Sequence, residues 1–108
     1  MAAHDHLSQL QFHHYTETSG THVLEARLPD DLEDFPTGVM LWHPKTGEIH
    51  NITVDETKQG RGIGTAMWHE GQRYSPPPVH SHVQTPQGKK WAASVGGPYA
   101  DRYANAEE

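Results

Sequence analysis

The sequence predicts an α/β domain of the α+β kind, a mostly antiparallel mixed sheet with two helices. Three observations carry that prediction. Short apolar runs with strand-like spacing fill the first half, at His22–Leu28, Gly38–His43 and Glu48–Val54. Pro44-Lys45-Thr46-Gly47 is turn chemistry between two of these runs and makes them a hairpin. After Gly62 the spacing changes to that of a helix, with Ile63, Ala66 and Met67 on one face. The 108 residues suit one domain, since domains commonly run to ~100–150 residues.

Taken in order, residues 1–20 form a polar, His-rich arm in which Leu10, Phe12 and Tyr15 allow an added edge strand. His22 to Leu28 is a strand stopped by Pro29, and Asp30-Asp31-Leu32-Glu33-Asp34 reads as a solvated acidic loop. In Glu48–Val54 the apolar residues Ile49 and Ile52 fall on opposite parities, so that strand either buries both faces near its end or contains a bulge. Gly71 and Pro76-Pro77-Pro78 end the first helix, and Val79–Val83 alternates as a short strand. Thr85 then caps a second helix with Pro86 at its first position, running to Val95 and closing at Gly96-Gly97. The expected organisation is an arm over 1–20, a domain over 21–97 and a polar tail over 98–108, with Tyr99 and Tyr103 as docking points.

Composition excludes several functions. A formal net charge of −6 argues against a nonspecific nucleic-acid binder, which needs a basic surface to neutralise phosphates. The absence of cysteine removes disulfides, thiolate nucleophiles and cysteine metal sites. No apolar run suits a membrane span, and Met1-Ala-Ala-His-Asp-His lacks a basic segment followed by a hydrophobic one, so a soluble cytoplasmic protein is expected.

The chemistry concentrates after Val54. Gln59-Gly60-Arg61-Gly62-Ile63-Gly64-Thr65 places a glycine-rich turn between a strand and a helix. The first turn of a helix has N–H groups without intrahelical partners, at the positive end of its dipole, and anions bind there. Glycines at 60, 62 and 64 let a pyrophosphate approach those amides and allow positive φ, while Arg61 adds a cation. A Walker loop needs a Lys after the last glycine, and a dinucleotide fingerprint needs Gly-x-Gly-x-x-Gly; this chain has neither.

The remaining pattern, Gln-x-x-Gly-x-Gly at Gln59, Gly62 and Gly64, resembles the acetyl-CoA pyrophosphate loop of the GNAT N-acetyltransferase superfamily. The likeness extends over about residues 22–97 and implies a short GNAT-like domain with acetyl-CoA as cosubstrate. It places Ile52, Val54, Gln59, Gly60, Arg61, Gly62, Ile63, Gly64 and Thr65 on the cofactor, the strand residues offering amides to the thioester. Two departures stand out. The segment Pro29–Thr37 is too short for the usual early helices, so the acceptor side is reduced, missing or completed by a partner chain, a homo-oligomer included. Ala92 also occupies the place where many members carry a proton-donating tyrosine.

A general base is expected on the strand before the glycine loop, where Glu48 and His50 share one parity. His80-x-His82 has the spacing of a metal half-site but lacks a third ligand, so packing is the expected role, and no metal is expected. Trp42 and Trp68 are expected in the core, and Trp91 near the cofactor cleft. Two functions follow: a minimal acetyltransferase acting on a small-molecule or protein amine, or an inactive GNAT-like module serving a binding or structural role in an assembly.

Overall fold

The computed structural model describes residues 8–29, 31, 35–82 and 84–100. Four strands form one antiparallel sheet in chain order: β1 (Gln11–Thr16), β2 (His22–Arg27), β3 (Gly38–Trp42) and β4 (Ile49–Val54). The edge strand allowed by Leu10, Phe12 and Tyr15 is present as β1, paired along its length with β2 from Gln11↔Arg27 to Thr16↔His22. Two helices follow, α1 (Ile63–Gly71) and α2 (Pro86–Val95).

Of the two alternatives that the parities of Ile49 and Ile52 left open, the hairpin β3–β4 contains the bulge. Trp42 pairs with Ile49 and Leu41 with Asn51, which leaves His50 as the extra residue of a bulge. The bulge resets the alternation. Ile49 is therefore buried and Ile52 packs against the same cluster, although they are three residues apart.

Leu24, Ala26, Met40, Trp42, Ile49, Ile63, Met67 and Trp68 form the core, with Trp91 and Val95 packed on it. Leu24, Met40, Trp42 and Met67 are fully buried, and each such side chain contributes ~1.5–3 kcal/mol relative to exposure. The indole of Trp42 donates to the carbonyl of Pro76 at 2.9 Å, tying the segment after α1 to the sheet. Both described helices lie on the face that carries this cluster. Tyr15, Glu25, Leu41, Asn51 and Thr53 line the opposite face, and no described helix covers it.

The strand expected at Val79–Val83 is much shorter. Val79 makes a parallel bridge to Glu48, with Ile49 N–H donating to Val79 O at 3.0 Å and Val79 N–H to Gly47 O at 2.8 Å. One residue later the partners change: His80 N–H donates to Pro98 O at 3.0 Å and Ala100 N–H to His80 O at 2.8 Å. The chain thus leaves β4 for the tail, and a gap opens between them. Val83, Tyr103, the rest of 101–108, and the arm residues His4 and His6 lie outside the described residues.

Asp31, the one residue of the acidic run 30–34 that is described, is not merely solvated. Asp31 accepts from the N–H of Leu28 (2.8 Å) and of Thr37 (2.9 Å), and from Lys58 Nζ at 2.7 Å. This cluster fastens the β2–β3 connection to the 3-10 turn Glu56–Lys58 that precedes the glycine loop.

Candidate functional site

The glycine loop is built by backbone conformations that side chains oppose. Gly60 and Gly62 have φ of 79° and 83°, in the left-handed region. Gln59 steadies the loop from within, its Nε2 donating to Val54 O at 3.0 Å. Gly62 is the N-cap of α1, and no side chain caps that end. The first intrahelical bond runs from Ala66 N–H to Gly62 O at 2.9 Å. The amides of Ile63, Gly64 and Thr65 consequently have no partner within the helix.

These amides border a groove of about 620 Å³ lined by Ile52, Val54, Lys58, Gln59, Gly60, Gly62, Ile63, Gly64 and Thr65 on one side. Across it α2 contributes Gln87, Gly88, Lys90 and Trp91, preceded by Thr85. Trp91 closes the far end, its Nε1–H donating to Thr65 Oγ1 at 3.3 Å. Every residue expected on the cofactor lines this groove except Arg61. The cations on it are instead Lys58 and Lys90, and Lys58 is held by Asp31.

Through Ile52, Thr85, Gly88 and Trp91 the groove adjoins a second cavity of about 160 Å³ in the gap where the chain parts from β4. Its remaining walls are Ile49, His50, Asn51, His80, Ser81 and Gln84. Of the two candidate bases, His50 lines this gap and Glu48 is joined to it through Ser81. Glu48 Oε2 accepts from Ser81 Oγ at 2.8 Å. His50 sits at the bulge, exposed, with its ring edge-on to His43 at 5.7 Å. Because Ile49 faces the core, Glu48 points to the open face of the sheet, where His50 also lies.

The rings of His80 and His82 are engaged separately. His80 is buried, with Nε2 2.7 Å from Gly96 O, whereas His82 is exposed, with Nε2 2.8 Å from Ala100 O. Among the described residues no group of three or more metal-ligating side chains is present. The place read as Ala92 is a buried core position. His80, Ser81 and Lys58 are the site residues that the sequence did not single out for these roles. The His-x-His pair was visible, but alternation alone could not tell which ring is buried.

A bulged strand, a neighbour that parts from it and a glycine-started helix border one groove in an α+β domain. The model of the acetyltransferase (GNAT) family matches residues 4–86, more than half of the chain, and the chain belongs to that family. No curated protein and no solved structure matches it. No described helix is long and apolar enough to cross a membrane.

Proposed function

We propose that this protein is a minimal acetyltransferase that moves the acetyl group of acetyl-CoA to an amine. The observation that carries the reading is the groove itself: uncapped helix amides at one end and the gap beside β4 at the other. In this reading the diphosphate lies against the amides of Ile63, Gly64 and Thr65, with Lys90 nearby and Gly60 and Gly62 keeping the approach clear. The pantetheine arm follows Val54, Ile52 and Trp91 into the gap. There the amides of the bulged strand between Ile52 and Val54 face the thioester oxygen and polarise the carbonyl.

The amine arrives from the open face of the sheet. Glu48, through Ser81 or a water, or His50 at the gap itself, takes a proton from the ammonium so that its nitrogen can attack. Holding donor and acceptor in line supplies much of the remaining acceleration. The open sheet face supports an acceptor larger than a buried small molecule, or a second chain that completes the acceptor side.

Calorimetry with acetyl-CoA tests binding, and thiol release over a panel of amines tests turnover. Heat that disappears in Gly62→Trp, together with release that falls in Glu48→Gln or His50→Ala, is the expected outcome. Absence of heat with the unaltered protein refutes the reading. Binding without release from any amine points instead to a cofactor-binding module.

A further inference from the structure

The open face of the sheet carries a cavity that lies outside the glycine-loop groove. It measures about 230 Å³, and Phe35, Pro36 and Val39 give it an apolar wall, with Thr53 and Asp55 at its rim. Phe35 is 69% exposed. A phenyl group left in water beside a hollow of side-chain size is apolar surface that a ligand can bury.

Strand register joins this cavity to the gap. Val39 pairs with Thr53 and Leu41 with Asn51, so these four side chains stand together on the open face. Asn51 is a wall of the gap and Thr53 a wall of the cavity. Their side chains are bonded directly, Asn51 Nδ2 donating to Thr53 Oγ1 at 3.0 Å. Two positions along a strand separate them, about 7 Å.

Charge selects the occupant. Arg27 on this face is paired with Glu25 at 3.0 Å, whereas Glu48 is joined to the gap through Ser81 and Asp55 stands at the cavity. Both ends of the path thus offer a carboxylate, on a chain whose net charge is −6. Such a path attracts a cation. An extended peptide presents side chains i and i+2 on one side, about 7 Å apart, which is the spacing from Asn51 to Thr53.

We propose that this face docks an extended peptide, with one apolar side chain seated against Phe35 and Val39 and a lysine two residues away entering the gap. The docking stands on the two openings, and the lysine as acetyl acceptor rests on the acetyl-CoA reading above. Its slender four-carbon stem reaches into the gap while the peptide backbone stays over the sheet. The ammonium gives one proton to the base at the gap, and its nitrogen forms the C–N bond. The C–S bond breaks with its electron pair on sulfur, and the surplus proton of the nitrogen leaves on the thiol.

The test uses the full chain and two N-terminally blocked peptides with a single lysine, carrying Leu or Ser at both positions two residues from it. KM for the Leu peptide should lie roughly 10-fold below that for the Ser peptide, the scale of one apolar group in a pocket. Phe35→Ser should remove that difference while acetyl-CoA affinity by calorimetry is unchanged. Equal KM values, or a difference that survives Phe35→Ser, overturn the proposal and leave the acetyl-CoA reading standing. A dimer by analytical ultracentrifugation that Phe35→Ser dissociates gives the face to a second copy of the chain and overturns it as well.

If neither peptide releases thiol, the acceptor role falls, and an NMR titration without cosubstrate decides the docking. The Leu peptide should move the amide resonances of Val39, Asn51 and Thr53, and the Ser peptide should move them less. Equal shifts with both peptides, or shifts only elsewhere, overturn the proposal.

Discussion

Replacing Asp31 by Asn removes the charge that fastens the glycine loop to the sheet, and the structure gives both the size and the pH dependence of the loss. Burial by itself pushes the Asp31 carboxyl up. The Lys58 ammonium and the donors of Leu28 and Thr37 more than offset that, lowering it from 3.8 to about 2. At 1.36 kcal/mol per pKa unit this difference stabilises the fold by about 2 kcal/mol at neutral pH. A folded-state pKa below the unfolded one gives stability that is present above pH 3.8 and lost as pH falls through about 2. Urea unfolding of the unaltered protein and Asp31→Asn should therefore differ by about 2 kcal/mol at pH 7 and by roughly half of that at pH 3. A loss that does not change between pH 7 and pH 3 would show that the ion pair is not its source.

Other perturbations follow from the same geometry. His14 Nε2 lies 2.8 Å from His22 Nδ1, and burial with mutual repulsion lowers His14 while burial lowers His22. Their folded-state values lie below 6.5, so thermal stability should be full above that pH and decline below it, and His22→Gln should flatten a melting series from pH 8 to pH 5. At Gly97, φ is 96° and a Cβ would sit 2.6 Å from Trp68 Cζ2, so Gly97→Ala should lower stability by ~1–3 kcal/mol in urea unfolding. Gly60→Ala meets no atom within 4 Å but keeps a φ of 79°, so its stability loss should stay near ~1–2 kcal/mol while acetyl-CoA affinity falls by calorimetry.

The sheet, its hairpin and both helices were legible because each is a local pattern. Thr85-Pro86 marked the start of α2, and its Oγ1 does accept from Gly88 N–H at 3.0 Å. The parities of Ile49 and Ile52 narrowed β4 to a strand buried on both faces or one with a bulge, because one buried face cannot hold both without an extra residue. The candidate groove was legible where it is made of backbone, at Gly60, Gly62 and Gly64. Contacts between distant residues left no local trace. Asp31 and Lys58 are 27 positions apart, and an acidic run looks the same whether solvated or paired. The short reach of the Val79–Val83 strand was equally hidden, because it is Pro98 and Ala100 that draw His80 away from β4. The same contact buries His80 and exposes His82, a difference that a His-x-His pair does not carry.

Amide chemical-shift mapping by NMR with acetyl-CoA tests most directly whether the uncapped end of α1 holds the diphosphate. Saturating ligand should move the N–H resonances of Ile63, Gly64 and Thr65 most, with the Trp91 indole N–H following. Shifts confined to the open face of the sheet, or none after Gly62, would contradict the account.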